Sequence, residues 1–147
     1  MYRRLILSCL LALLIGTLHL KCNNSSDKTS GTKYKQYYIK GESLYTVHCS
    51  NCHQKDGSGL GLLYPPLNQS DYMASNKQKV ICIIRNGLQG EIKVNGKVYN
   101  KVMPPIPSLS DIEVAQIATY IYNTWTHQEG LMEVKDVSAV LQNCNTN

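Results

Sequence analysis

The 147-residue chain has no second pair of closely spaced cysteines. Cys49 and Cys52 are two residues apart, but the other four cysteines are isolated from one another; they are Cys9, Cys22, Cys82 and Cys144. A structural zinc site takes four ligands, usually from two such close pairs. The chain therefore lacks the ligand pattern of a zinc site.

The sequence also has no excess of positive charge after residue 40. The formal net charge of the whole chain is +5, but residues 41–147 contain eight Lys and Arg against nine Asp and Glu. Nucleic-acid binding depends on a basic surface that neutralises phosphates. We therefore expect no nucleic-acid partner, and no strong charged patch marks a docking face for another protein.

Long apolar runs are absent apart from the leader, residues 1–22, in which Met1-Tyr-Arg-Arg precedes a run from Leu5 to Leu20. This pattern predicts a signal peptide or a lipoprotein leader, because the run is rather short for a membrane span. Cys22 and the polar residues after it resemble a lipidation site, although His19 and Lys21 depart from the usual pattern. An uncleaved anchor helix and ordinary cleavage are the alternatives.

A lipid on Cys22 or an uncleaved leader would tether the protein to a membrane. We therefore expect an exported protein in the bacterial periplasm or on the outer face of a membrane, with a membrane anchor. Residues 23–38 are polar and are predicted to form a flexible linker. Within this linker Tyr34, Tyr37 and Tyr38 form an aromatic cluster of the kind that packs on a neighbouring domain.

Cys49-Ser50-Asn51-Cys52-His53 has the C-x-x-C-H spacing of a c-type haem attachment site. Each cysteine can form a thioether to the porphyrin, while His53 reaches the iron as its proximal ligand. A thioredoxin-like motif would follow a strand, whereas this one closes a helical pattern over residues 41–51. A disulfide between the two cysteines would leave His53 unexplained. We predict one haem c, covalently held through Cys49 and Cys52.

The glycine-dense loop that follows, Gly57-Ser-Gly-Leu-Gly61, is not a phosphate-binding loop. It lacks the Gly-Lys-Ser/Thr of that motif, and no strand precedes it. Glycine is instead useful where a backbone must approach another group closely. We expect the loop to approach the flat cofactor.

The sequence around this motif resembles the class I c-type cytochromes, and the likeness runs from about Tyr38 to Thr126. It is carried by Gly41-Glu-Ser-Leu-Tyr45, Cys49 to Leu60, Tyr64-Pro-Pro-Leu67 and Ser70-Asp-Tyr72. The likeness is strongest to the monohaem modules that accompany bacterial respiratory oxidases, nitrite reductases and dehydrogenases. It implies an all-α, cytochrome c-like fold of three to four helices around the haem, here spanning residues 39–127.

The resemblance also implies a partner for the axial histidine. In the family, a proline carbonyl after the glycine loop accepts the Nδ1 proton of that histidine. Pro65 matches by its Pro-x-Leu spacing, with Pro66 as the alternative. Such a bond fixes the tautomer of the ring and raises its basicity as a ligand.

Met103, in Val-Met-Pro-Pro, is the predicted second iron ligand. A thioether is a soft ligand that suits haem iron, and the Met-Pro context is that of the family's distal ligand. The rival ligands are two methionines expected to be packing residues and two histidines expected to be surface or core residues; they are Met73, Met132, His48 and His127. With both axial positions filled by the protein, electron transfer is favoured over catalysis.

The remaining elements follow from local signals. The sequence predicts a helix over Asn76–Asn86 ended by Gly87 and a small β-hairpin around Asn95-Gly96. A second helix starts at Ser110, which forms a capping box with Glu113, and runs to about Thr126. A short helix is predicted in the C-terminal extension, residues 128–147. Cys82 is expected to be a small buried side chain, with a bridge to Cys144 as the alternative in an oxidising compartment.

We therefore expect a non-enzymatic, single-electron carrier of a respiratory chain, in which the haem iron alternates between Fe(III) and Fe(II) and exchanges electrons with redox protein partners. One alternative is an electron-accepting subunit of a dehydrogenase, nitrite reductase or terminal oxidase complex. The other is a small haem enzyme with an open sixth coordination site.

Overall fold

The computed structural model describes residues 26–144, with side chains from residue 31 onward. The predicted leader and its Cys22 lie outside these residues. The elements, in order, are α1 (Ser26–His48), α2 (Ser50–His53), α3 (Asp71–Ser75), α4 (Lys77–Asn86), β1 (Ile92–Val94), β2 (Lys97–Tyr99), α5 (Asp111–Ile121) and α6 (Val134–Gln142). Four longer helices, two short ones and one antiparallel hairpin confirm the predicted fold class within this part of the chain. None of the described helices combines the length and apolar content that crossing a bilayer requires.

The prediction of a flexible linker over residues 23–38 is wrong from Ser26 onward, because α1 begins there and continues to His48. The helix is held to the domain by its tyrosines. Tyr37 is buried, and the Tyr38 ring lies 5.2 Å from the Tyr120 ring on α5. An ion pair between Lys33 and Glu133 adds a contact with the C-terminal extension. The tyrosine cluster thus packs on the domain as expected, within a helix.

Helix α1 crosses α5 at Gly41. A Cβ added at Gly41 would lie 2.0 Å from the carbonyl oxygen of Gln116, so no side chain fits between the two helices at this position. On both sides of the crossing, large side chains pack into the core; Leu44 and Tyr45 of α1 meet α5, whose Ile117 is buried. This crossing places the end of α1 beside the centre of the domain.

The hairpin and the helix before it form as their local signals predict. Helix α4 ends at Asn86, and Gly87 follows with a φ of 71°. In the hairpin, Ile92 pairs with Tyr99 and Val94 with Lys97. Asn95 and Gly96 both have positive φ angles, as a two-residue turn of this type requires. Two hydrogen bonds between Asn95 and Asp71 fasten the turn to the start of α3.

The capping box is present at the start of α5, where Ser110 and Glu113 bond each other reciprocally. The helix itself ends at Ile121, earlier than predicted. Asp111 in its first turn accepts hydrogen bonds from Ser138 of α6 and from Arg85 of α4, which together hold the pKa of its carboxyl below the usual range. One carboxylate therefore links three helices.

The extension folds back on the domain, and this overturns the expectation that Cys82 is a free buried side chain. Helix α6 buries Val137 against the core, which brings Cys144 to a Cα–Cα distance of 5.7 Å from Cys82 on α4. This spacing lies in the range for a disulfide, and the two residues are bonded. The bridge closes a chain segment of 62 residues.

Candidate functional site

The Cys-x-x-Cys-His segment forms a tight helical turn directly after α1. The backbone N–H groups of Cys52 and His53 both donate to the carbonyl oxygen of Cys49, at 3.1 and 3.0 Å. Residues three and four positions apart lie on the same side of a helical turn. Cys49, Cys52 and His53 are therefore presented to one side of the turn, and neither cysteine is in a disulfide.

Burial sets the protonation state of this segment. It raises the pKa of the Cys49 thiol to about 12, with a further contribution from the neighbouring Cys52, so Cys49 is a thiol at neutral pH. Burial also lowers the pKa of His53, partly offset by a hydrogen bond to Pro65. The His53 ring is therefore a neutral imidazole, which is the form that binds metals.

The tautomer of His53 follows from its partner. Its Nδ1 lies 3.0 Å from the carbonyl oxygen of Pro65, and a carbonyl oxygen can only accept a hydrogen bond. The proton must therefore be on Nδ1, which leaves the lone pair of Nε2 free for a metal. The structure thus brings His53 to Pro65, whereas the sequence had left Pro66 as an alternative.

The glycine loop holds the Pro65 carbonyl in place. A Cβ at Gly59, which has a φ of 69°, would lie 2.4 Å from the Tyr64 oxygen and 2.7 Å from the Pro65 oxygen. A Cβ at Gly57 would meet the ring of Trp125 at 2.7 Å. These two glycines allow close approach, as expected, but the neighbouring groups are the chain's own backbone and Trp125.

A cavity of about 960 Å³, including its open mouth, lies between α1, α4, the hairpin and α5. All five predicted site residues border it; they are Cys49, Cys52, His53, Pro65 and Met103. Met73 borders it as well, whereas Met132, His48 and His127 do not. The rest of the lining is mostly apolar, and it includes Val94 and Tyr99 from the hairpin. The hairpin is therefore one wall of the site.

Met103 is attached to the end of α4. Its backbone forms two hydrogen bonds with Leu88, at 3.0 and 2.9 Å. Gly87, just before Leu88, packs so closely on this segment that an added Cβ would lie 2.3 Å from the Met103 oxygen. Pro104 follows directly. The position of Met103 is thus fixed by its backbone neighbours.

The cavity fits a haem. It offers two free thiols and a neutral imidazole at the spacing that covalent haem attachment uses, within an apolar space that suits a flat porphyrin. It also contains a buried hydroxyl, that of Tyr72, without a partner among the described residues. Nothing in the sequence singles out Tyr72, because a tyrosine at a helix start has no distinctive spacing.

Residues 38–121 match the family described as cytochrome c oxidase, cbb3-type, subunit III, over more than half of the chain. The chain belongs to this family and is a monohaem c-type cytochrome. The cytochrome is 34% identical over 89 residues to cytochrome c-552 of Thermus thermophilus, a match that covers 58% of this chain and 67% of that relative. In a second cytochrome c-552, from another strain of the same species, the same identity covers 60% of the relative.

A more distant relative is the cytochrome c subunit of a quinone alcohol dehydrogenase from Gluconacetobacter polyoxogenes. The cytochrome is 25% identical to it over 104 residues, which are 68% of this chain and 22% of the relative. Membership of the family establishes haem c, covalently bound, as the cofactor, and electron transfer as the general role.

Proposed function

We propose that this cytochrome carries single electrons in a respiratory chain, with its iron bound by His53 and Met103. The observation that supports the proposal is that both side chains border one cavity, into which His53 can direct only Nε2 because Nδ1 is bonded to Pro65. When bound, the haem supplies an Fe(III)/Fe(II) couple. The chain's own residues fix where that couple lies.

In this proposal Cys49 and Cys52 hold the haem covalently, while Pro65 orients His53 and keeps its proton on Nδ1. This hydrogen bond makes the imidazole a stronger ligand. The mostly apolar lining excludes water from the cofactor. A filled sixth position leaves no place for a substrate, so transfer of an electron without bond making or breaking is the chemistry that the site favours.

The support for Met103 as the sixth ligand is its fixed backbone and its place at the cavity. Met73 is the rival, since it borders the same cavity, but it is almost fully buried on α3 and packs in the core. A thioether ligand would raise the reduction potential relative to a second imidazole.

An absorption spectrum of the ferric holoprotein tests this ligation. We expect a low-spin spectrum with the methionine-to-iron charge-transfer band. Met103→Ala should abolish the band, whereas the matched control Met73→Leu should retain it because leucine keeps most of the packing volume. A high-spin spectrum that responds readily to added ligands would contradict the proposal, as would loss of the band in Met73→Leu alone.

We further propose that the protein is exported and held at the outer face of a membrane through a lipid on Cys22. The support is the leader pattern, residues 1–22. Labelling of the full chain with a radioactive fatty acid in a bacterial host should mark the wild type and not Cys22→Ser. If the wild type stays unlabelled but sediments with membranes, the leader itself is the anchor.

A second candidate function is that of an electron-accepting subunit in a dehydrogenase, nitrite reductase or oxidase complex. The match to the cytochrome c subunit of a quinone alcohol dehydrogenase favours it, as does the description of the matching family. Purification of the tagged full chain from its own host separates the two. A subunit should co-purify in fixed stoichiometry with a large partner, whereas a shuttle should not.

A further inference from the structure

The polar side chains that border the haem cavity have, with few exceptions, partners within the protein. The Tyr45 hydroxyl donates to the carbonyl oxygen of Gln54 at 2.6 Å, and the Tyr99 hydroxyl to that of Gly61 at 3.4 Å. The Tyr64 hydroxyl bonds the Cys52 thiol, and the Ser70 hydroxyl accepts the N–H of Met73. These groups have no need of a partner in the cofactor.

Tyr72 is different. Its hydroxyl oxygen is shielded from solvent and bonds no other described group. A buried hydroxyl without a partner is unfavourable, so such a group calls for an explanation. Three other buried polar atoms of the described residues also lack partners, but none of their residues borders the cavity; they are Asn68 Oδ1, Arg85 Nε and His127 Nε2.

We propose that the Tyr72 hydroxyl donates a hydrogen bond to a propionate carboxylate of the haem. The porphyrin plane is apolar, and its two propionates are the strong acceptors that it brings into the cavity. A phenol O–H and a carboxylate form a charge-assisted hydrogen bond, which is stronger than one between neutral groups. The inference rests on the haem occupying this cavity, as proposed above.

Lys101 adds to this argument. It borders the same cavity and forms no ion pair with any described residue. Its exposed ammonium group provides a positive charge at the cavity that can offset the charge of a propionate. Tyr72 is nevertheless the group that tests the proposal, since its hydroxyl is buried and has no other described partner.

The hydrogen bond has an electrical consequence for the iron. A propionate carries negative charge near the metal and therefore favours the ferric state, and a hydrogen-bond donor withdraws part of that charge. Tyr72→Phe removes the donor and keeps the ring. We expect the Fe(III)/Fe(II) equilibrium constant to move about threefold towards Fe(III), which is a fall of about 28 mV in potential at 59 mV per tenfold.

The test compares the full holoprotein as wild type, Tyr72→Phe and Tyr122→Phe by spectroelectrochemical titration near neutral pH. Tyr122 is a matched control because its buried hydroxyl donates to the Met73 carbonyl oxygen at 3.0 Å and the residue does not border the cavity. Tyr122→Phe should keep the wild-type potential even if it destabilises the fold. Redox-difference infrared spectra should show a shifted propionate carboxylate band in Tyr72→Phe only.

An unchanged potential and an unchanged carboxylate band in Tyr72→Phe would overturn the proposal, as would an equal fall in both variants. The result is separable from the ligation proposed above. If the wild type is high-spin, the assignment of Met103 fails, and the carboxylate band still reports on Tyr72. If Tyr72→Phe keeps the charge-transfer band but not the potential, both proposals hold.

Discussion

Replacing Gly87 with alanine should loosen the segment that carries Met103. Gly87 has a φ of 71°, so any side chain there is strained, by about 1 kcal/mol. The added Cβ would also lie 2.3 Å from the Met103 oxygen, far inside van der Waals contact. The two strands of backbone must move apart, which breaks both hydrogen bonds between Leu88 and Met103.

The magnitude follows from these two contributions. Two backbone hydrogen bonds at about 1 kcal/mol each, added to about 1 kcal/mol of backbone strain, give a loss of about 3 kcal/mol in the free energy of unfolding. Gly130→Ala is the matched control, because Gly130 has a φ of 73° but open space around it. It should lose only the strain, about 1 kcal/mol.

Guanidinium unfolding of the ferric holoproteins measures the two losses, and the charge-transfer band reports separately on the iron ligand. We expect the band to weaken in Gly87→Ala and to persist in Gly130→Ala. Equal losses in the two variants would refute the reasoning, because they would mean that the Leu88–Met103 contact contributes nothing. A normal band in a destabilised Gly87→Ala would show that the thioether does not depend on this contact.

Three further outcomes can be measured by denaturant unfolding. Gly59→Ala should cost at least about 2 kcal/mol more than Gly61→Ala, since both have positive φ angles but only Gly59 has backbone atoms within 3 Å of an added Cβ; equal costs would exclude a close contact. Replacing the Cys82–Cys144 bridge by two alanines should cost about 4 kcal/mol for a 62-residue loop, and a loss below about 1 kcal/mol would mean that the extension is held by packing alone. Hydrogen bonds depress the pKa of Asp111, so its stabilising effect is present above the ordinary value of 3.8 and lost as the pH falls; Asp111→Asn should therefore lose less stability than the wild type on acidification, and equal losses would contradict this.

The elements that the sequence predicted well are those with local causes. A C-x-x-C-H turn, an Asn-Gly hairpin and a capping box each form through residues within a few positions of one another. The glycine after α4 acts in the same way. Such signals survive in any tertiary context, because the backbone angles that they need are set by the residues themselves.

The sequence failed where the cause is distant. Helix α1 looked like a linker because its apolar stripe consists of tyrosines, and these count as polar until Tyr120 is seen to lie against Tyr38. Cys82 could not be paired with Cys144 because nothing local marks a contact across 62 residues. The choice between Pro65 and Pro66 likewise depends on where the His53 ring lies, which is a property of the folded loop.

Helix α1 also determines how the haem is presented. Its 23 residues at 1.5 Å each form a rod of about 34 Å that ends one residue before Cys49. A helix held along its length by tyrosine contacts transmits orientation as well as distance, which a flexible chain cannot do. A fixed point just before Ser26, at a membrane or on a partner protein, would therefore limit both how far the haem can travel and which way the cavity mouth turns towards an electron donor.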